Sequence, residues 1–205
     1  MIGIIDYGVN NLSSVKNSVE SLGFDVQIFQ NPKLISEFSH VILPGIGSFN
    51  SGMNYLTNGG WVTKINEFVK SGRPLLGICL GMQLLFDFGF EFGKTKGLGL
   101  ISGEVVSFKS ISVFKTPHVG WNSLIEIKNH PVLKNIKSDV DMYFVHSFHC
   151  IPRSKDNILA YSNYEKNFVS IVGRNNIIGT QFHPEKSQPA GKKILKNFLI
   201  WNGQC

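Results

Sequence analysis

Short apolar runs alternate with helical patterns through the first half of the chain. Buried strands are predicted at IGIID, DVQIF, HVILPG and PLLGI, which begin at residues 2, 25, 40 and 74. Between the first two runs, Leu12, Val15 and Val19 fall on one helical face, and Gly23 is a natural stop. Two more helices are predicted at WVTKINEFVKSG and at LGMQLLFDF, which begin at residues 61 and 80. This alternation predicts right-handed crossovers and a mostly parallel central sheet covered by helices on both faces.

The second half of the chain changes to successive strand candidates separated by turn-forming residues. They are GEVVSF, HVGWNSLIEI, DMYFVHSFHCI, NILAYSNY, FVSIVGRN and NIIGTQFH. GRNN at residues 173–176 predicts a hairpin turn, and a closing amphipathic helix is predicted near residues 189–201. No repeat or linker interrupts the pattern. The sequence therefore predicts one α/β domain over residues 1–205, with additional antiparallel strands in its second half.

The composition is that of a globular protein with a sizeable core. The chain has 205 residues, of which 42% are apolar and 17% are charged. No apolar run reaches the roughly 18 residues that a membrane-spanning helix needs. The N-terminal apolar run lacks the preceding basic segment of a signal peptide. We therefore expect a cytoplasmic protein.

Metal ions, nucleic acids and membranes are not expected as partners. Three cysteines are too few and too scattered for a disulfide framework, and HSFHC at residues 146–150 lacks a second pair of zinc ligands. The formal net charge is +6, but the lysines are spread along the chain and form no stripe. A solvated surface is the favoured interpretation, and a docking face for an acidic protein stays open.

Cys79 has the sequence context of a catalytic nucleophile. The segment Gly-Ile-Cys-Leu-Gly, residues 77–81, has the G-x-nucleophile-x-G spacing of a strained turn between a strand and a helix. The N-terminus of the following helix favours a thiolate, and the Leu80 N–H is placed to bind an oxyanion. A small buried core cysteine is the alternative, which the paired glycines disfavour.

His183 is the best candidate for the base that such a thiol needs. It stands in GTQFHPEKSQ, where Glu185 projects to the same side of an extended chain and is able to orient the imidazole. The alternative is an ordinary turn at a strand end. A third element, LPGIGSF at residues 43–49, either exposes backbone N–H groups to a substrate or is a simple tight turn.

Taken together, these segments resemble the class I, or triad, glutamine amidotransferases. More narrowly, they resemble the glutaminase subunits of imidazole glycerol phosphate synthases. The matching motifs run through almost the whole chain in a specific order: IIDYG, NLSSV, LPGIGSF, PLLGICLGMQLLF, GLGLISGEVVSF, PHVGWN, YFVHSF and GTQFHPEKSQ. PHVGWN and FHPEKSQ select this subfamily.

The resemblance implies a role for each matching residue. Cys79 attacks the side-chain amide of glutamine, His183 transfers protons, and Glu185 orients His183. Leu80 and Ile46 supply oxyanion N–H groups, the latter after a backbone rearrangement of the PGIG loop. The positions that hold glutamine are Gly47, Gln83, Glu91, Ser147 and Phe148, and Glu91 pairs with the α-amino group. No cofactor is implied.

The resemblance also implies a partner, a (β/α)8-barrel cyclase that receives the ammonia and makes imidazole glycerol phosphate in histidine biosynthesis. The interface positions are Asn11, residues 117–122, which include Trp121 and Asn122, and Lys186. Two departures from the family pattern lie near these regions. Asn10 replaces a glycine, and Phe148 replaces a tyrosine and so lacks its hydroxyl.

Three other functions stay open at this point. The first is a paralogous amidotransferase subunit that supplies ammonia to a sugar-aminating synthase of surface polysaccharide biosynthesis. The second is a stand-alone cysteine hydrolase or peptidase, which the matches at Gln83, Glu91 and HSF disfavour. The third is a non-catalytic interaction subunit, which the intact set of Cys79, His183 and Glu185 disfavours.

Overall fold

The computed structural model describes residues 1–8, 11–108 and 116–204. The strands are β1 Ile2–Ile5, β2 Val26–Phe29, β3 His40–Leu43, β4 Leu75–Ile78, β5 Phe86–Gly89, β6 Thr95–Lys96, β7 Ile101–Ser107, β8 His118–Ser123, β9 Asp141–His146, β10 Phe148–Pro152, β11 Ile158–Tyr164, β12 Lys166–Arg174 and β13 Ile177–Thr180. The α-helices are α1 Leu12–Ser21, α2 Phe49–Asn58, α3 Trp61–Lys70, α4 Leu80–Leu84 and α5 Gln188–Ile200. Asn10, one of the two departures noted above, lies outside the described residues.

A seven-stranded sheet forms the centre of the molecule, in the order β11-β12-β13-β4-β3-β1-β2. The five strands from β13 to β2 pair in parallel, whereas β11, β12 and β13 pair antiparallel. The hairpin predicted at GRNN joins β12 to β13. The predicted fold class, a mostly parallel sheet with antiparallel strands added by the second half, is confirmed.

Alternate residues of the central strands face two separate apolar cores. Leu43 and Leu75 face one core, which α2 and α3 complete. Ile42 and Leu76 face the other, which α1 and α5 complete. Both faces of the sheet are thus covered by helices, which is why the central strands read as continuous apolar runs in the sequence.

Smaller sheets extend the molecule beside the carboxyl end of β4. One has the order β10-β7-β5-β6, and the other pairs β8 with β9. The helix predicted over residues 80–88 is wrong in its second half, because α4 ends at Leu84 and β5 follows. Phe86 is fully buried and pairs with β7, so tertiary pairing overrides the local helical pattern there.

Two other predictions of secondary structure are corrected. The run DMYFVHSFHCI is not one strand: it divides at Ser147 into β9 and β10, which pair with β8 and β7 in different sheets. Helix α2 was not predicted, because its segment is rich in asparagine and contains Gly52. Ser48 caps the helix through its hydroxyl, and Gly52 admits Leu84 at 3.1 Å from where a Cβ would stand. Within the described ranges, no helix is both long enough and apolar enough to cross a bilayer.

Candidate active site

Cys79 stands at the turn between β4 and α4, with φ 54° and ψ −108°. Such a backbone is strained for a residue with a side chain, and its surroundings must hold it there. A Cβ at Gly81 would collide with the Leu43 carbonyl, and a Cβ at Gly77 would lie 2.7 Å from the Gly81 carbonyl oxygen. Both flanking glycines are therefore required for the close approach of backbone that the G-x-C-x-G spacing predicted.

A cavity of about 400 Å³ opens beside the Cys79 side chain. Its volume lies within the roughly 300–1,000 Å³ that is usual for small-molecule sites. The wall is built from loops and strand ends that are distant in sequence: Ile46, Gly47, Cys79, Leu80, Gln83, Glu91, Pro117, Val145, His146, Ser147 and Phe148. All the residues expected to bind an oxyanion or glutamine thus lie around one pocket.

His183 and Glu185 are joined by a hydrogen bond of 2.8 Å between Nδ1 and Oε1, and both side chains are buried. Residues Pro184–Lys186 form one turn of 3-10 helix, so the expected extended chain is wrong although the expected contact is present. The His183 backbone is fixed on both sides. Its N–H donates to the Tyr143 carbonyl at 3.0 Å, and the Ser187 hydroxyl donates to its carbonyl at 2.6 Å.

The charge state of His183 is set by competing effects. Burial lowers its pKa, but the hydrogen-bonding and charge interactions with Cys79 and Glu185 outweigh burial and raise the pKa to about 9. Within the described part of the chain, His183 Nε2 makes no well-formed hydrogen bond, so its contact with Cys79 is loose in this resting geometry. The site is thus suited to keep His183 protonated beside the Cys79 sulfur at neutral pH.

Asn11 contacts the acid of this group, a role that sequence reasoning missed. Its Nδ2 donates to Glu185 Oε1 at 2.8 Å, and its own backbone is left-handed, with φ 80°. From the sequence, Asn11 is expected only at a partner interface. Since 174 residues separate Asn11 from Glu185, no local pattern could have indicated the contact.

Several pocket residues also have bonds within the protein. Gln83 Nε2 donates to the Phe148 carbonyl at 3.1 Å and lies 3.2 Å from Gln181 Oε1. Glu91 Oε2 accepts a hydrogen bond of 2.8 Å from the Phe49 N–H at the start of α2. Because Phe148 is held through its backbone carbonyl, the hydroxyl missing at this position is not needed for that contact.

Of the residues expected at a partner interface, Trp121 and Lys186 lie together near His183, on either side of Tyr143. Trp121 is 45% exposed and packs against Tyr143, with ring centroids 5.7 Å apart. Lys186 Nζ lies 6.0 Å from the centroid of the same Tyr143 ring. Asn122 is the next residue of β8, so its side chain projects to the other face of the strand, where it binds His118 and the Asn163 carbonyl. Among the described residues, no group of three or more histidines, cysteines and carboxylates is arranged to hold a metal ion.

Comparison with known proteins identifies similar chains over nearly the full length. The family "Glutamine amidotransferase class-I" matches residues 3–201. The chain is 43% identical over 201 residues to "Imidazole glycerol phosphate synthase subunit HisH" of Wolinella succinogenes, covering 97% of this chain and 98% of that one. It is 47% identical over 201 residues to "Imidazole glycerol phosphate synthase subunit HisH 2" of Methanococcus maripaludis, with the same coverage.

Solved structures share the fold at low sequence identity. "Crystal structure of glutamine amidotransferase" has a TM-score of 0.77 at 16% identity and covers 98% of each chain. "Structure of PurLQS from Thermotoga maritima" has a TM-score of 0.74 at 20% identity, covering 97% of this chain and 96% of that one. These two likenesses concern the fold alone.

Proposed function

The chain belongs to the class I glutamine amidotransferase family, and from this premise we propose that it is the glutaminase subunit of imidazole glycerol phosphate synthase. Relatives that carry this name are 43% and 47% identical to it over 97% of its length. The observation that carries the chemistry is the elbow thiol of Cys79 on the wall of a pocket, next to the buried pair of His183 and Glu185. In this function the subunit hydrolyses glutamine to glutamate and ammonia.

Cys79 is the nucleophile in the proposed reaction. Its sulfur attacks the side-chain amide carbon of glutamine, and a C–S bond forms as the carbonyl oxygen becomes an oxyanion. His183, whose raised pKa of about 9 keeps it protonated, gives a proton to the departing nitrogen as the C–N bond breaks. Ammonia leaves, and a γ-glutamyl thioester remains on Cys79.

Water completes the cycle with the same base. His183, now neutral, takes a proton from a water molecule as the water oxygen attacks the thioester carbon. The C–S bond breaks, glutamate leaves, and Cys79 returns as a thiolate beside an imidazolium. Glu185 accepts the Nδ1 hydrogen of His183 at 2.8 Å throughout and so presents Nε2 to the reacting atoms.

The oxyanion is stabilised by two backbone N–H groups in this proposal. Leu80 follows the nucleophile at the start of α4, where its N–H has no partner within the helix. Ile46 is 41% exposed on the pocket wall and lies next to Gly47, whose φ of 104° gives the loop freedom to rotate. A rearranged loop would turn the Ile46 N–H toward the oxyanion.

Glutamine itself is held by the remaining pocket residues. Glu91 would pair with the α-amino group through its carboxylate. The hydrogen bond that this carboxylate accepts from the Phe49 N–H fixes it in place. Gly47 and Ser147 lie on the wall of the same pocket. Gln83 and Phe148 are bonded to each other and fix the shape of that side of the pocket.

The proposed partner is the cyclase subunit, in a heterodimer. Trp121 and Lys186 would contact it on the face that lies beside His183, and Asn11 would lie at the edge of that face. Asn122, which was expected there too, projects its side chain to the other face of β8. The exposed Trp121 ring is an aromatic anchor of the kind that carries binding energy in interfaces. The net charge of +6 would favour an acidic barrel face. A cytoplasmic location agrees with the proposed pathway.

Glutamate release by the purified chain tests the proposal. We would measure it alone, with the cyclase of the same organism, and with the cyclase plus its nucleotide substrate. We expect strong stimulation of glutamate release only in the mixture that contains the chain, the cyclase and its nucleotide substrate. Turnover that needs no partner would overturn the proposal in favour of a stand-alone hydrolase. Failure to bind the cyclase, with an intact triad, would overturn it in favour of a subunit that serves a sugar-aminating synthase.

Cys79→Ala is the matched variant for the chemical step. We expect it to abolish glutamate release, because no other described thiol lines the pocket. Cys150→Ala is the control, since Cys150 is a buried free thiol of β10 outside the pocket. Full activity of Cys79→Ala would refute the assignment of the nucleophile.

A further inference from the structure

A continuous chain of side chains runs from the Asn122 surface to the pocket. Asn122 Nδ2 donates to the Asn163 carbonyl at 2.7 Å, so its Oδ1 accepts from His118 Nε2 at 2.6 Å. His118 Nδ1 lies 3.0 Å from His146 Nε2, and His146 Nδ1 lies 2.8 Å from the Phe148 carbonyl oxygen. The chain therefore has four contacts, and it ends on a carbonyl oxygen at each side.

These four contacts need four hydrogens, and the three side chains supply only three. A neutral histidine carries one hydrogen on its two ring nitrogens, and an asparagine side chain donates at one end and accepts at the other. Burial lowers the pKa of His118, and it lowers the pKa of His146 to about 3, so both rings are neutral near pH 7. At neutral pH, one of the four contacts must lack its hydrogen.

The position of the missing hydrogen is tied to Asn122. While Asn122 binds Asn163, its oxygen requires the hydrogen of His118 on Nε2, and His118 Nδ1 is then an acceptor. The neutral His146 ring has one hydrogen and two acceptors beside it, His118 Nδ1 and the Phe148 carbonyl. One of these two acceptors therefore receives no hydrogen bond from His146. If Asn122 is drawn away, His118 is free to move its hydrogen to Nδ1 and donate to His146. The His146 hydrogen must then point to Phe148.

We propose that Asn122, His118 and His146 are positioning residues that transmit a change at Asn122, on the face of β8 opposite Trp121, to the Phe148 carbonyl of the glutamine pocket. This inference rests on the proposed function for the identity of the substrate. The chain of contacts reaches the pocket at Phe148, because Phe148 lines the cavity and its carbonyl also accepts a hydrogen bond from Gln83. His146 lies on the same wall. Packing limits other movement, since His118 stacks on Tyr164 with centroids 4.1 Å apart, and Phe108, Phe144 and Phe168 surround both rings.

The first test reads the tautomers of the two histidines directly. Nitrogen-15 NMR of the imidazoles distinguishes Nδ1–H from Nε2–H. In the wild-type chain we expect His118 as Nε2–H. In Asn122→Ala, whose side chain neither donates nor accepts, we expect His118 as Nδ1–H and His146 as Nδ1–H. Asn122→Asp is the second variant, because a carboxylate still accepts from His118 and keeps its hydrogen on Nε2.

Trp121→Ala is the control for a change on the same strand outside the chain, and it should leave both tautomers as in the wild type. A wild-type His118 with its hydrogen on Nδ1, or the same His118 tautomer in wild type and Asn122→Ala, would overturn the proposal. This readout needs neither glutamine nor a partner. Its failure is therefore distinct from failure of the proposed function.

The second test measures glutamine affinity by calorimetry, in the Cys79→Ala background to prevent turnover. We expect Asn122→Ala to tighten glutamine binding by about 2- to 10-fold, the usual effect of one hydrogen bond, because the Phe148 carbonyl is then held by His146 in all molecules. Trp121→Ala should leave the affinity unchanged. Equal affinities in all three chains would mean that the tautomer change does not reach the pocket, and would overturn the proposal.

Discussion

At the scale of single residues, buried polar groups of this protein are held by few but specific partners. Glu185 receives one hydrogen bond from His183 and one from Asn11, both on Oε1, while Oε2 has no partner in the described part of the chain. The Tyr7 hydroxyl is likewise buried without a partner. Such atoms cost free energy in the folded state, which is characteristic of residues kept for function.

Removing the charge of Glu185 should lower the pKa of His183. In Glu185→Gln, the Coulombic attraction and the charged hydrogen bond are lost, whereas burial still favours the neutral imidazole. We expect the pKa to fall well below about 9 and the rate of glutamate release to drop by about 100-fold or more, as for loss of general acid–base catalysis. NMR titration of His183 measures the first effect. An unchanged titration would contradict the assigned pair.

Tyr7→Phe should stabilise the fold. The hydroxyl of Tyr7 is desolvated, and burial followed by the nearby Cys79 charge raises its pKa. Removing it leaves the ring in place and relieves an unpaired polar group, so the free energy of unfolding should rise by about 1 kcal/mol. Thermal melts of the two proteins measure this. A lower melting temperature for the variant would show that the hydroxyl has a partner.

At the scale of elements, the elbow between β4 and α4 depends on backbone contact more than on side-chain packing. Gly81 lies directly against the Leu43 carbonyl of the neighbouring strand β3. Gly77 lies against Gly81 in turn, so strand, turn and helix are pressed together with no room for a methyl group. The position of the Cys79 sulfur therefore depends on the absence of a Cβ atom at both Gly77 and Gly81.

Gly81→Ala should disrupt the elbow far more than an alanine in an open turn. Its Cβ would collide with backbone, which cannot move aside as a flexible side chain does, and we expect a loss of about 3 kcal/mol or more. Gly23→Ala is the control: Gly23 has a φ of 83° and no atom within 4 Å of a Cβ, so only backbone strain of about 1–2 kcal/mol applies. Urea unfolding compares the two. Equal losses would contradict the role of the close approach.

Element types were predictable where one periodic pattern decided them. The continuous apolar strands β1, β3 and β4 and the helices α1, α3 and α5 follow directly from their sequences. The pattern failed where distant partners decide, as at Phe86, which is helical by local pattern but pairs with β7. The break at Ser147 was not predicted for the same reason: β9 and β10 form one apolar run in the sequence but pair in different sheets.

The site was predictable to the extent that its residues carry local signals. Glycines flank Cys79, and Glu185 follows His183 by two positions. The nucleophile candidate and the His183–Glu185 pair could therefore each be recognised from a local spacing. The bond from Asn11 to Glu185 and the chain from Asn122 to Phe148 depend on tertiary contacts between ordinary polar residues. No spacing distinguishes such residues from a solvated surface.

At the scale of the whole molecule, one face gathers the features of a docking surface beside the site. Trp121, Tyr143 and Lys186 are contiguous there, and Asn11 lies behind them against Glu185. The surface and the triad thus share the short segment Pro184–Lys186. A partner that contacts Lys186 is one residue away from Glu185, whose carboxylate is hydrogen-bonded to His183.

Lys186→Ala should reduce partner-stimulated glutamate release more than release by the chain alone. The lysine charge lies at the proposed interface, and loss of a charged contact there should weaken cyclase binding by about 10-fold. Lys16→Ala is the matched control, because Lys16 pairs with Glu20 on the exposed face of α1. Titration with the cyclase measures the affinity. The same stimulated rate in wild type and Lys186→Ala would refute the interface assignment.

The order of strands has a consequence for biosynthesis. β13 is the last strand along the described part of the chain, yet it lies in the interior of the sheet between β4 and β12. A nascent chain that ends at Arg174 has every other strand of the central sheet but a gap in the middle, and it also lacks His183 and Glu185. Long-range insertion of this kind is slow and comes late. A chain that is released before β13 therefore has an incomplete central sheet and lacks the hydrogen-bonded pair of His183 and Glu185, so translation must pass this strand before the Cys79 pocket can be assembled.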